Sequence, residues 1–114
     1  MLSQKHRFHG LNSLRFVYGR GQTVRSKHIA LKFAYNKRRH EYRVAVVVSK
    51  KVSKSAVTRN RIRRRVYEVV RNNSQFINQP YDIVLLVYSD AIADCSAKEL
   101  EDQVITLLKK VVQH

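Results

Sequence analysis

YRVAVVVSKKVSKSAVTRNRIRRRVYEVV, residues 42–70, carries a strand, a cationic connection and a helix in one run. Its first part, YRVAVVVS, is rich in β-branched side chains and apolar on both faces at its centre, which predicts a buried strand. Further on, Ile62, Val66, Val69 and Val70 recur at i, i+4, i+7 and i+8, the apolar stripe of an amphipathic helix. Asn72, Asn73 and Ser74 mark its end. Residues 50–65 hold eight Lys or Arg among sixteen positions and no acid. Like charge at that density repels itself and disfavours the compact state, so a partner outside the fold is expected to offset it.

Before this run, HIALKFAYN alternates, with Ile29, Leu31, Phe33 and Tyr35 on one face and Ala30, Lys32 and Ala34 on the other. The polar turn KRRHE is short, which predicts an antiparallel hairpin between this strand and the next. QTVR is a candidate brief strand. LNSLRFVY places Leu11, Leu14, Val17 and Tyr18 at helical spacing, and Gly19 and Gly21 end it. Phe16 falls away from that stripe, which predicts exposure for it. Beyond Pro80, YDIVLLVYS reads as a buried strand. The last helix opens with Ser96-Ala97-Lys98-Glu99, a capping-box pattern, with Cys95 and Leu100 placed as a hydrophobic staple. Its core face is Leu100, Val104, Leu107, Leu108 and Val111. The order helix, two or three strands, helix, strand, helix predicts an α+β two-layer sandwich. With at most four strands, the helices are expected on one face of the sheet and part of the other face open.

A chain of 114 residues suffices for one core, so a single domain over residues 1–114 is expected, with residues 1–10 a flexible basic N-terminus. Its 23 basic and 8 acidic residues give a net charge of +15, unevenly placed. Residues 1–80 hold 20 basic side chains against Glu41 and Glu68, whereas residues 81–114 hold three against six acids. The anion-facing surface is therefore expected from the first two-thirds, and scaffold from the last third. One cysteine cannot form an internal disulfide and fits a reducing compartment. The start lacks a signal-peptide core, and the apolar run Ile83 to Tyr88 is far short of the ~20 residues a spanning helix needs. These features predict a cytoplasmic protein.

Projected at about 100° per residue with the stripe inward, the basic helix turns Asn60, Arg61, Arg64, Tyr67 and Arg71 outward, with Arg63 and Arg65 flanking. Arg59 falls near the apolar side and is assigned to the first, irregular turn. Guanidinium groups grip phosphate bidentately and stack on bases, which Lys does not do. Lys50, Lys51 and Lys54 lie just upstream, and a helix N-terminus adds free N–H groups. A merely solvated helix face usually mixes signs, but this one carries a single Glu. Polyanion binding is the better reading. Zinc-finger ligands, heptads and a helix-turn-helix pair are all missing, which favours RNA modestly over DNA.

The motif itself is more specific. SKKVSKSAVTRNRIRRRVYE after the strand YRVAVVV resembles the signature of the bacterial ribonuclease P protein subunit: Ser49-Lys50-Lys51, a short loop, Arg59-Asn60-Arg61, then Ile62-Arg63-Arg64. The basic residues Lys5 and Arg7, the short helix with Phe16 and Tyr18, the glycine turn and the final strand and helix are similar too. The resemblance implies assistance to a catalytic RNA that removes the 5′ leader of precursor tRNA, with no DNA and no membrane as partner. It implies a mixed four-stranded sheet in the order αβββαβα with a left-handed βαβ crossover. It also implies that Lys50, Lys51, Lys54, Arg59, Asn60, Arg61, Arg63, Arg64 and Arg65 dock on the ribonuclease P catalytic RNA. A cleft lined by Leu14, Phe16, Tyr18, Arg25, Lys27 and Lys32 would take the leader. Here Leu14 stands at a family aromatic position and Lys32 at a common tyrosine, which shifts the expected contact from stacking toward phosphate.

Protein-only cleavage would need clustered carboxylates or a positioned acid and base. Asp90, Asp94, Glu99, Glu101 and Asp102 surround the start of the last helix, where acids complement the dipole. His6 and His9 do not complete a metal site. No protein catalytic residue and no protein metal site is therefore expected, and Mg²⁺ would be held mainly by RNA phosphates. Two other readings stay open: a general or ribosomal RNA-binding protein, and an autonomous nuclease dependent on Asp90 or Asp94.

Overall fold

Alternation along a strand sorts its side chains onto two faces, and here the sheet is built around one strand that is apolar on both. A computed structural model describes residues 16–19, 21–37, 40–77 and 79–112. Strands β1 (Gln22–Arg25), β2 (Ile29–Tyr35), β3 (Arg43–Val48) and β4 (Tyr81–Val87) form one sheet in the order β1-β2-β4-β3. β1–β2 and β2–β4 are antiparallel, and β3–β4 is parallel. The basic helix (Ala56–Asn72) joins β3 to β4, the C-terminal helix (Ala97–Val112) follows, and residues 16–19 are helical. The fold is α+β with a mixed four-stranded sheet, in the expected element order.

The expected hairpin between β2 and β3 does not form. β4 lies between them, with Phe33 opposite Ile83 on one side and Val44 beside Ile83 on the other. The reason is burial. Four consecutive β4 residues, Asp82 to Leu85, are buried, and a central position gives such a strand a neighbour on both edges. Alternation specifies which face a side chain takes, not which strand lies alongside.

Ile29, Leu31, Phe33, Val44, Val46, Val48, Ile83, Leu85 and Val87 join one core with Ile62, Val66 and Val70 of the basic helix and the predicted face of the C-terminal helix. Helices do not occupy that face alone. Residues 16–19 sit on the opposite face, where fully buried Val17 packs with Ala45 and Val84. Burial of one valine contributes about 1.5–3 kcal/mol toward holding residues 16–19 on the sheet. The turn ends as Gly21 N–H donates to the Val17 carbonyl at 2.6 Å. A Cβ at Gly21 would collide with that same oxygen and lie 2.9 Å from the Phe33 carbonyl oxygen.

Both long helices start on a serine. Ser55 Oγ accepts from Thr58 N–H at 3.2 Å, and Ser96 Oγ accepts from Glu99 N–H at 3.1 Å. Half-buried Cys95 and buried Leu100 belong to the core beside the second cap. Asn73 closes the basic helix, its side-chain amide donating to the Val69 carbonyl at 2.8 Å.

Candidate nucleic-acid interface

A strand that ends in cations and a helix that starts with none of the opposite sign create the main positive surface. Lys50, Lys51 and Lys54 are exposed on the turn leaving β3. The first turn of the basic helix has no acid, so its partial positive charge adds to theirs. Arg59 is half-buried in that turn and donates to the Ser53 carbonyl at 2.8 Å, fixing the loop against the helix.

Along the outward face, Asn60 is exposed and its Oδ1 accepts from Arg63 Nη2. Arg64 is exposed and has no hydrogen-bond or ion-pair partner among the described residues. Arg61, with 59% of its side chain exposed, lies 3.7 Å from the Asp94 carboxylate, itself 85% exposed. That separation is an ion-pair contact and not a hydrogen bond, and exposed pairs contribute about 0–1 kcal/mol. Phosphate can displace it. Glu68, on the flank, accepts from Arg71, and this bond holds the Glu68 carboxyl below its ordinary range while raising the Arg71 guanidinium.

Two residues of the helix differ from the projection. Arg65 points inward, donating to the carbonyls of Ile92 at 2.7 Å and Cys95 at 2.5 Å. It braces the helix on the 3-10 turn Asp90–Ala93. Tyr67, projected outward, is buried, and its hydroxyl accepts from the Val46 N–H at 3.2 Å. β3 is an edge strand, so this phenol covers a backbone donor that the sheet leaves unpaired.

The second surface is the sheet face that the two long helices leave uncovered. Lys32 is half-buried there, with Thr23 opposite it and Arg25 opposite Ala30 on the same face. Its ammonium lies 5.6 Å from the centroid of the Tyr18 ring, a cation–π contact that brings the helical turn and β2 together. Tyr18 is 44% exposed, whereas Phe16 is half-buried against the Val17 cluster. The expected order of exposure is thus reversed, because Val17 sets which side of the turn meets the sheet. Arg25 and Lys27 are exposed. Leu14, Lys5, Arg7, His6 and His9 lie outside the described residues.

One polar cluster had no sequence signal beyond its separate residues. Asp82 is fully buried and accepts from Arg43 Nε and Nη2, both at 2.8 Å, and from Asn36 Nδ2 at 2.9 Å. Arg43 and Asp82 are partners in the β3–β4 register, so a bidentate pair closes one end of the open face. A second polar group, Gln103 Oε1, accepts from His28 N–H at 3.1 Å and Ser26 Oγ at 3.2 Å. It ties the β1–β2 turn, which carries Lys27, to the C-terminal helix.

Asp90, Asp94, Glu99, Glu101 and Asp102 are exposed around the last helix start. Among the described residues, no three His, Cys, Asp or Glu side chains converge as metal ligands.

These features define a class: a small basic α+β protein with a cationic helix in a parallel βαβ unit and an uncovered, cation-lined sheet face. The family model for ribonuclease P matches residues 2–112, and the chain belongs to that family of protein components. A ribonuclease P protein component from Pseudanabaena sp. is 32% identical over 110 residues, covering 96% of this chain and 94% of its own. Another from Clostridium botulinum is 39% identical over 97 residues, covering 84% and 85%. The fold matches the ribonuclease P protein of Staphylococcus aureus, with a TM-score of 0.81 at 23% identity over 93% of this chain and 94% of that one. It also matches that of Thermotoga maritima, with a TM-score of 0.77 at 22% identity over 85% and 89%.

Proposed function

We propose that the chain acts in the ribonuclease P holoenzyme by docking the outward arginines of its basic helix on the catalytic RNA. The open sheet face takes the single-stranded 5′ leader of precursor tRNA. The observation that carries this reading is the basic helix: Arg61 and Arg64 stand outward on a capped, core-anchored element, with Lys50, Lys51 and Lys54 at its start. A pre-folded cationic face binds phosphate without an ordering cost at the moment of association.

Arg65 is assigned to bracing and not to docking, since its guanidinium is engaged on two internal carbonyls. In the cleft, Lys32 and Tyr18 act as a unit. The ammonium on one side of the ring favours a leader phosphate nearby, while the exposed part of the ring remains open to a base. Arg25 and Lys27 extend this positive track along the sheet end.

Phosphodiester cleavage is assigned to the RNA subunit, with Mg²⁺ held mainly by RNA phosphates. The exposed acids of the last helix start complement its dipole instead of converging. The protein's contribution is to lower repulsion between RNA segments and to position the leader. The proposed compartment is the cytoplasm. No helix among the described residues is long and apolar enough to cross a membrane.

Reconstitution tests this reading. Adding the protein to a bacterial ribonuclease P RNA at low Mg²⁺ is expected to stimulate precursor tRNA cleavage. Affinity should rise as the leader is lengthened from ~1 to ~8 nucleotides, a span within usual single-strand site sizes. Equal binding of precursor and mature tRNA, with no stimulation, would favour a general RNA-binding role instead.

A further inference from the structure

The far end of the sheet carries an aromatic and cationic surface that neither proposed RNA contact uses. Tyr35 is the last residue of β2, directly across from Tyr81, the first of β4. Lys50 and Lys51 follow β3 at the opposite end, where Val48 lies beside Val87. Six residue steps along β4 separate the two ends, about 20 Å of strand.

Tyr35 is 54% exposed, yet its ring is not loosely held. It meets the Tyr81 ring edge to face, with centroids 6.0 Å apart and planes at 79°. Tyr81 meets Phe33 in the same way at 5.7 Å and 90°, and Phe33 is buried in the core. Three rings therefore run outward from the core to solvent, and the outermost is braced while much of its surface stays accessible. Such an arrangement loses little side-chain entropy when a flat group stacks on it.

The backbone beside the ring is also fixed. Asn36 N–H donates to the Pro80 carbonyl at 3.0 Å, and the Asn36 side chain donates to Asp82. Lys37 follows at once and is exposed. The nearby buried acid, Asp82, is matched by the Arg43 fork. Arg38 and Arg39 lie outside the described residues and are no part of the site.

We propose that Tyr35, backed by Tyr81 and flanked by Lys37, is a second single-stranded RNA contact, one that stacks a base on Tyr35 and holds an adjacent phosphate with Lys37. Exposed π-surface beside positive charge matches a nucleotide's flat base and anionic linkage. It matches an acidic protein segment less well, because stacking on a ring uses a planar partner. The inference goes beyond the docking helix and the leader cleft, and stands on different residues.

The test uses the full chain carrying Arg61→Ala and Arg64→Ala, so that the basic helix does not dominate binding. Its affinity for a fluorescein-labelled single-stranded oligoribonucleotide of about eight nucleotides is measured against salt. In that background, Tyr35→Ala and Tyr35→Leu are each expected to weaken binding at least about fivefold, the lower end for loss of one stacked base. Tyr35→Phe should bind as its parent does, and Lys37→Gln should lower the salt slope by about 0.7. Thermal unfolding of each variant verifies the fold, and the Leu variant keeps apolar volume at the strand end. Parent-like binding by both the Ala and Leu variants would overturn the proposal. So would a Leu variant equal to the Phe variant, since an apolar contact without stacking would point to a protein partner. Stimulation of precursor cleavage by the chain with native Arg61 and Arg64 is read separately, so failure here is distinct from failure of the holoenzyme role.

Discussion

Arg61, Arg64 and Arg65 are three guanidinium groups within five residues, and what each one touches decides its role. The first has an exposed contact with Asp94, the second has no partner among the described residues, and the third holds two main-chain carbonyls. Arg65→Met is expected to lower unfolding stability by about 2 kcal/mol, the scale of hydrogen bonds made by a charged group. A shift in the urea midpoint reads this. Arg61→Ala should stay within about 0.5 kcal/mol of the unchanged chain, as surface substitutions do. Asp82→Ala is a harsher change. It removes the buried acceptor of the Arg43 fork and should cost about 3 kcal/mol, at the lower end for a broken buried pair because Arg43 keeps some water contact. Arginine run and outward direction were legible in the sequence, but the Arg65 brace was not. Its acceptors are backbone carbonyls of Ile92 and Cys95, which no side-chain pattern encodes. Asp82 was hidden for a related reason: its partners, Arg43 and Asn36, are distant in sequence and meet only through strand pairing.

At the scale of elements, the apolar stripe of the basic helix and the face of the C-terminal helix were readable from spacing alone. Ile62, Val66 and Val70 of the first and Leu100, Val104, Leu107, Leu108 and Val111 of the second are buried, with Val69 half-buried against the same core, since a 3.6-residue repeat against a sheet has one inward side. Tyr67 shows where projection fails. A wheel treats a residue as a direction, whereas a long phenol reaches sideways to the edge of β3 and finds the Val46 N–H. Tyr67→Phe should therefore cost about 1–3 kcal/mol, the penalty for an orphaned buried donor, seen as a lower thermal midpoint without altered RNA salt dependence. The missed neighbour of β2 has a different cause. A short polar turn is compatible with a hairpin, but it cannot report that a more apolar strand, 40 residues later, will occupy the intervening place. Gly21 belongs here too. Both of its nearest obstacles are backbone carbonyls, so Gly21→Ala should destabilise by about 1–3 kcal/mol through overpacking between the helical turn and β2.

Across the whole molecule, charge asymmetry becomes geometry. Among the described residues, the cations of the first two-thirds stand on the β3 turn, the basic helix, and the sheet strands with their connecting turns, while five of the six acids of the last third gather around the C-terminal helix start. The sixth, Asp82, is the buried partner of Arg43. Composition could therefore identify a polyanion partner, and the motif around Arg59-Asn60-Arg61 could narrow it to one family. Neither could say which arginines remain available once the chain has folded. The most direct test compares how salt weakens binding of the catalytic RNA to the unchanged chain and to the Arg61→Ala/Arg64→Ala double variant. Two lost phosphate contacts should flatten the log-affinity against log-salt slope by about two units, with weaker binding at low salt. A double variant with the same slope and the same affinity as the unchanged chain would contradict the account.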